Sequence, residues 1–199
     1  MSPLKILASF LLFLLLQCGR IAKEAIMILS KPESDQFFKL YKPLLSHVSS
    51  EKIFESSKFN KIVDARNYLF SHLEVFDYFL RKNPIKFNNI ELEIILGWKN
   101  KFVKDNFIFL KQQKKQAIFL ISEEIKHKGF KVVGLTDSPM DLVGIDGVYL
   151  QDVILLPFHG KIIWDGLFFM GPILGVNYLW DYNELYKELK TEYKVISEL

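Results

Sequence analysis

Cysteine is almost missing from this chain. Its 199 residues include one, Cys18, so no intramolecular disulfide can form and a cysteine-built zinc site has no ligands. Histidine is scarce too: the four, His47, His72, His127 and His159, contain no i,i+4 pair and no HExxH, which leaves no metal site to name. GxSxG, a Walker loop and GxGxxG are absent, so serine-hydrolase, NTPase and dinucleotide-binding readings lose their usual sequence warrant. An excess of one charge is also lacking. Lys and Arg number 26 against 23 Asp and Glu, a net charge of +3. Lys5, Arg20 and Lys23 against Glu24 place +2 of it in residues 1–27, leaving +1 for the rest. A near-neutral body exerts no bulk attraction on phosphate backbones.

Apolar material is plentiful. Half the residues are hydrophobic and 15% are aromatic, with 18 phenylalanines, enough for a buried core in one domain over residues 28–199. Residues 1–27 read differently. Lys5 is followed by an apolar run from Ile6 to Leu16 and then by Cys18. The run has the length of a signal-peptide core and is too short for a comfortable membrane span. It also resembles the bacterial lipoprotein signal, whose cysteine is lipidated. Leu15 fits that pattern, and Gln17 stands where the signal carries a small residue. Four readings stay open: a signal peptide with Cys18 lipidated, a membrane anchor acting through residues 4–18, an extension ahead of a start at Met27, or a buried helix. The first two imply export or membrane association, the third a cytoplasmic protein.

Ser30 with Glu33 three residues on has the spacing of a capping box, and Pro32 suits a first helical turn. Phe37, Tyr41, Leu44 and Val48 then form one helical face over about 32–48, with Pro43 expected to kink or divide it. Ile62, Ala65, Leu69, Leu73, Phe76 and Leu80 predict a second helix over about 60–81, stopped by Asn83-Pro84. Asn88 with Glu91 opens a third, to about Lys101, carrying Ile90, Ile94, Ile95 and Trp98. The period then shortens. NFIFLKQ, QAIFLIS, FKVVGLTD, VYLQDVILLPF and KIIWDGLFFM read as five strands, with Gly160 in a tight hairpin between the last two. Asp137 is expected to cap a turn before Pro139, and Asp181 to open a C-terminal helix. The fold class is α+β: N-terminal helices on a curved antiparallel sheet of about five strands, then a C-terminal helix.

LLPFHGKIIWDGL, with GWKNKFV and VVGLTD upstream, resembles an uncharacterised bacterial protein family. Its members carry a Leu-Leu-Pro-Phe run, then Gly-Lys, then Asp-Gly a few residues on. The likeness covers roughly 28–195 and is most specific in this hairpin. It implies no activity, cofactor or partner, and it implies a start near Met27. After Leu167, FFMGPILG stands where the family has a more polar, glycine-rich segment.

His159 and Asp165 are the obvious chemical pair, but strand geometry puts Asp165 roughly 15 Å down the strand from the turn. Asp165 is the better candidate, since a carboxylate among Ile163, Trp164 and Leu167 needs a partner if buried. Asp137, Asp141, Asp146 and Asp152 cluster in sequence without the spacing of a calcium loop. Lys99 to Lys131 is locally basic, net +6, with Phe102, Phe107 and Phe109 interleaved. Its Lys111, Lys114 and Lys115 are candidates for contacting single-stranded nucleic acid or an anionic surface; the plainer expectation is that they protect strand edges. The absence of any catalytic signature favours a non-catalytic interaction or structural domain, exported or membrane-anchored, over an enzyme. The alternatives are a binder using the 99–131 lysines and an enzyme with an acidic site near Asp165. No cofactor is implied.

Overall fold

The computed structural model describes residues 28–50, 61–121 and 127–199. Cys18, the apolar run over residues 4–18 and the candidate start at Met27 lie outside the described residues. Four helices come first: α1 (Lys31–Ser50), α2 (Lys61–Ser71), α3 (Glu74–Lys82) and α4 (Asn89–Lys101). At the head of α1 the Ser30 amide donates to Glu33 Oε2 at 2.9 Å, and the Ser30 hydroxyl donates to the same oxygen at 2.8 Å. Glu33 thus reaches back as a capping box requires, with the serine hydroxyl turned onto the carboxylate. The helix continues undivided through Pro43. The helix expected over 60–81 is two helices, broken at His72 and Leu73. Ile62 is exposed, and the buried face of α2 is Ala65, Arg66, Leu69 and Phe70. Asn88 makes the full capping box: Glu91 N donates to Asn88 Oδ1 and Asn88 N to Glu91 Oε2, both at 3.0 Å. Ile90, expected on the inner face of α4, is exposed, while Ile95 and Trp98 are buried.

The strands are β1 (Val103–Gln112), β2 (Ala117–Ile121), β3 (Gly129–Val133), β4 (Val148–Phe158), β5 (Lys161–Trp164), β6 (Phe169–Ile173) and β7 (Val195–Ile196). A short helix α5 (Pro139–Val143) precedes β4, and α6 (Val176–Thr191) follows β6. The α+β class holds, but the sheet has seven strands among the described residues and is mixed. β1, β2 and β3 are antiparallel neighbours. β4 then returns beside β1, with Val103 opposite Leu155 and Phe109 opposite Val148, giving the Greek-key order β4-β1-β2-β3. β5 turns back from β4 and meets β3 in parallel, Val132 beside Ile162 and Val133 beside Ile163. The pairings β1–β2–β3–β5–β4–β1 close a ring of five strands. A purely antiparallel sheet would need β4 to pair with β3. The connection over 134–147 instead carries the chain across to β1, and β5 fills the remaining gap running the same way as β3. β7 adds a second parallel pairing on β3, and β6 an antiparallel one on β4.

Both faces of the barrel strands are covered, which is why they read as continuous apolar runs, whereas β6 is largely exposed. Phe107, Phe109, Phe119, Phe130, Leu155 and Trp164 fill the barrel. Ile154, Leu156, Phe158 and Ile163 point outward into the core shared with α1–α4. Ile108, Leu110, Ile118 and Leu120 point outward beneath Tyr186 and Leu189 of α6. The β4–β5 turn is the two-residue loop His159-Gly160, with φ of 50° and 68°. These positive angles give the primed turn that matches strand twist. The long strand expected over KIIWDGLFFM breaks at Asp165-Gly166 into β5 and β6, and the last helix opens at Val176 rather than at Asp181. Ser138, not Asp137, caps α5: it accepts from Asp141 N at 3.2 Å, while Asp137 accepts from the Thr136 hydroxyl. No helix among the described residues is long and apolar enough to cross a membrane.

Candidate functional site

The chemistry of this molecule concentrates where the helical layer meets the barrel. β4 carries a bulge there. Asp105 faces Val153 and Phe107 faces Leu150, so Gln151 and Asp152 together oppose Asn106. Asp152 adopts φ of +58°, a conformation that aspartate tolerates better than most residues. Its amide donates to Asn106 Oδ1 at 3.1 Å. On the neighbouring strand the chain bends at Gly166, φ +77°, which turns the carboxylate of Asp165 inward. Asp165 Oδ1 accepts from Leu167 N at 3.1 Å, and Oδ2 accepts from the Tyr41 hydroxyl at 3.1 Å.

Arg66 of α2 is the partner this carboxylate needs. Both side chains are wholly buried, with Arg66 Nε 3.6 Å from Asp165 Oδ2. Arg66 NH1 donates to the carbonyl of Asp152 at 2.6 Å and NH2 to that of Leu167 at 3.2 Å. Beside it, Asn67 Nδ2 donates to Asp152 Oδ2, and Lys104 Nζ lies 3.5 Å from Asp152 Oδ1. One guanidinium therefore ties α2 to the β4 bulge and to the β5–β6 bend, and Tyr41 brings α1 to the same carboxylate. Arg66 Nε and Asn67 Oδ1 are buried without a hydrogen bond, so the cluster is tightly packed but not fully satisfied.

Burial pushes the Asp165 carboxyl up from the ordinary 3.8 to about 6, against the opposing pull of Arg66 and the hydrogen bonds from Leu167 and Tyr41. Burial, with the Asp165 charge beside it, holds the Tyr41 hydroxyl well above its usual value of 10, so it stays a donor. The folded protein thus holds the Asp165 proton more tightly than the unfolded chain does. Between about pH 4 and pH 6 the folded state binds the extra proton, and stability falls as pH rises through that window. Denaturation of wild type and Asp165→Asn at pH 4, 5, 6 and 7 should show this slope, on the order of 2–3 kcal/mol, in the wild type alone; parallel profiles in both proteins overturn the assignment. Glu33 behaves oppositely. Hydrogen bonding to Lys161, 2.6 Å away, takes its carboxyl down to about 2, so its contribution is lost as pH falls from 4.5 toward 2.

The sequence candidates fall in separate places. His159 sits on the turn with Nε2 2.9 Å from Gln36 Oε1, while Asp165 faces Arg66 and Tyr41. Asp152 and Asp165 share Arg66, and Asp137 lies by Thr136. Lys111 is held by α6: Nζ donates to Asn183 Oδ1 at 2.6 Å and lies 5.2 Å from the Tyr186 ring centroid. Lys114 and Lys115 form the exposed tip of the β1–β2 turn. Phe107 and Phe109 are inside the barrel and offer no ring face to a base, while the partly buried Phe102 packs on Phe70. An open depression of about 460 Å³ beside the bulge is lined by Lys104, Asp105, Asn106, Gln151, Asp152 and Phe169; neither Asp165 nor Arg66 lines it. Among the described residues no three His, Cys, Asp or Glu side chains gather closely enough to hold a metal ion. Arg66, Tyr41 and Asn67 were not singled out by the sequence. The one signal pointing to them was Asp165 itself, an acid in an apolar stretch that needs a partner if buried. A scan of protein-family models, a search of curated proteins and a search of solved structures each found no match.

Proposed function

We propose that this chain is a non-catalytic interaction domain. The barrel and its helical layer form the frame, the Arg66–Asp165 cluster clamps the two together, and the segment from Phe168 to Trp180 presents the contact surface. The observation that supports this most directly is that segment. FFMGPILGVNYLW contains no charged residue, yet Phe169 is 50% exposed, Tyr178 and Trp180 64% each, and Val176 84%. Large exposed apolar groups in sequence, aromatic-rich and free of charge, mark contact surfaces. Residues 4–18 would supply a second attachment, to a membrane, with Cys18 as the lipid acceptor.

A photo-crosslinking residue placed at Tyr178 should give a discrete adduct in the native host, and the same residue at Lys114 should give none. Equal labelling from both positions removes the proposal. An enzyme reading draws less support, because Asp165 is sealed from solvent and can touch no substrate. The alternative, a binder of single-stranded nucleic acid or an anionic surface through the basic 99–131 segment, draws less support, because Lys111 is tied to Asn183 and Tyr186 and Phe107 and Phe109 face the barrel interior. Here α6 packs on the outward side chains of β1 and β2.

A further inference from the structure

We infer that the contact surface is completed by a second copy of this chain, which pairs β6 with β6 of its twin across a two-fold axis. This inference rests on the interaction-domain reading above and names the occupant.

β6 is the last strand in the sheet order, paired with β4 on one side only. Leu174 N donates to Gly147 O at 2.7 Å. Main-chain groups alternate in direction along a strand, so the amide and carbonyl of Ile173 point to the opposite edge. Among the described residues no strand covers that edge. Proteins protect such edges with charge, proline or a bulge; no charge stands between Phe168 and Trp180, and Pro172 and the irregular register with β4 are the only such devices in β6 among the described residues. Gly171 fixes the strand in place: a Cβ there would come within 2.7 Å of Tyr149, so β6 lies tight against β4 and offers its far side.

Three occupants are conceivable, and the chemistry selects one. A lipid surface would accept the side chains but leave the edge amides and carbonyls without hydrogen-bond partners; a strand satisfies both. A strip without charge offers no electrostatic pattern for discriminating one foreign protein from another. A two-fold axis sets each group against or near its own copy, so an uncharged strip is compatible with itself without repulsion. The size is adequate. At ~150–250 Å² per aromatic side chain, the exposed parts of Phe169, Tyr178 and Trp180 present roughly 350 Å². Met170, Ile173 and Val176, each more than half exposed, take the strip toward the ~800 Å² per partner of a standard interface.

Sedimentation of the full chain tests this. The expected result is a dimer with a dissociation constant of about 1 µM or tighter. Ile173→Lys sets like charges face to face and should weaken association by at least about tenfold. Trp180→Ser should weaken it from the helix side, and both variants should unfold at the temperature of wild type diluted until it dissociates, since association itself raises the unfolding temperature of the dimer. A monomer at about 100 µM overturns the inference, as does a dimer that neither substitution touches. Monomeric protein that binds phosphatidylcholine vesicles, and loses that binding on Ile173→Lys, also overturns it and assigns the strip to lipid. A monomer that still gives a Tyr178 adduct with another protein removes only the second copy; a monomer with no adduct removes the interaction domain too.

Discussion

Arg66→Met lowers the free energy of unfolding by about 3–5 kcal/mol, as read by chemical denaturation. The loss is not the energy of one ion pair. Methionine fills most of the volume, but it leaves the Asp165 carboxylate buried with only Leu167 N and Tyr41 OH facing it. It also deprives the carbonyls of Asp152 and Leu167 of the donors that Arg66 supplies. The first cost is electrostatic and disappears if Asp165 is neutralised. The second remains, at no more than the cost of a fully buried acceptor left unmade, about 1–3 kcal/mol, since both carbonyls are part-buried. The double variant Arg66→Met, Asp165→Asn therefore recovers part of the loss and not all of it. Full recovery would mean that the guanidinium serves the charge alone; no recovery would mean that it serves the two carbonyls alone. A single variant within 1 kcal/mol of wild type would contradict the clamp.

Trp98→Ala is the second large effect, again about 3–5 kcal/mol. Trp98 is fully buried at the centre of an aromatic cluster, with ring centroids 5.1 Å from Phe37, 5.6 Å from Tyr41 and 6.4 Å from Phe158. Its indole donates to the Pro157 carbonyl at 3.0 Å. Truncation empties the seam between α4 and the outer face of β4 and leaves that carbonyl without its donor. Trp98→Phe keeps most of the rings in contact and loses only the hydrogen bond and some volume, so it should fall well short of the alanine variant. Equal losses for the two would place the energy in the hydrogen bond rather than in packing.

How far the sequence leads depends on the range of each interaction. The Asn88–Glu91 box and the His159-Gly160 turn are legible because residues within three or four positions of each other form them. The inner faces of α1 and α2 are legible in outline, but Ile62 and Ile90 show where periodicity stops helping: a stripe marks a direction, and its margins bury or not according to what packs beside them. The parallel pairing of Val132 with Ile162 is invisible locally. It exists only because the 134–147 connection crosses to β1, and nothing in either strand records that crossing. Arg66 is the sharpest omission. An arginine in an amphipathic helix carries no mark of burial. Asp165, in its apolar surroundings, called for a partner if buried, without saying that it would be a cation or which residue would supply it.

The ring also imposes an order on synthesis. Helices α1–α4 leave the ribosome first, yet the side chains that bury their inner face, Ile154, Leu156, Phe158 and Ile163, are made much later. Until β5 arrives, both flanks of its slot between β3 and β4 stand open, and the helical layer has no floor to rest on. Closure through such distant partners is slow, and a nascent chain halted ahead of Lys161 is the form most exposed to self-association.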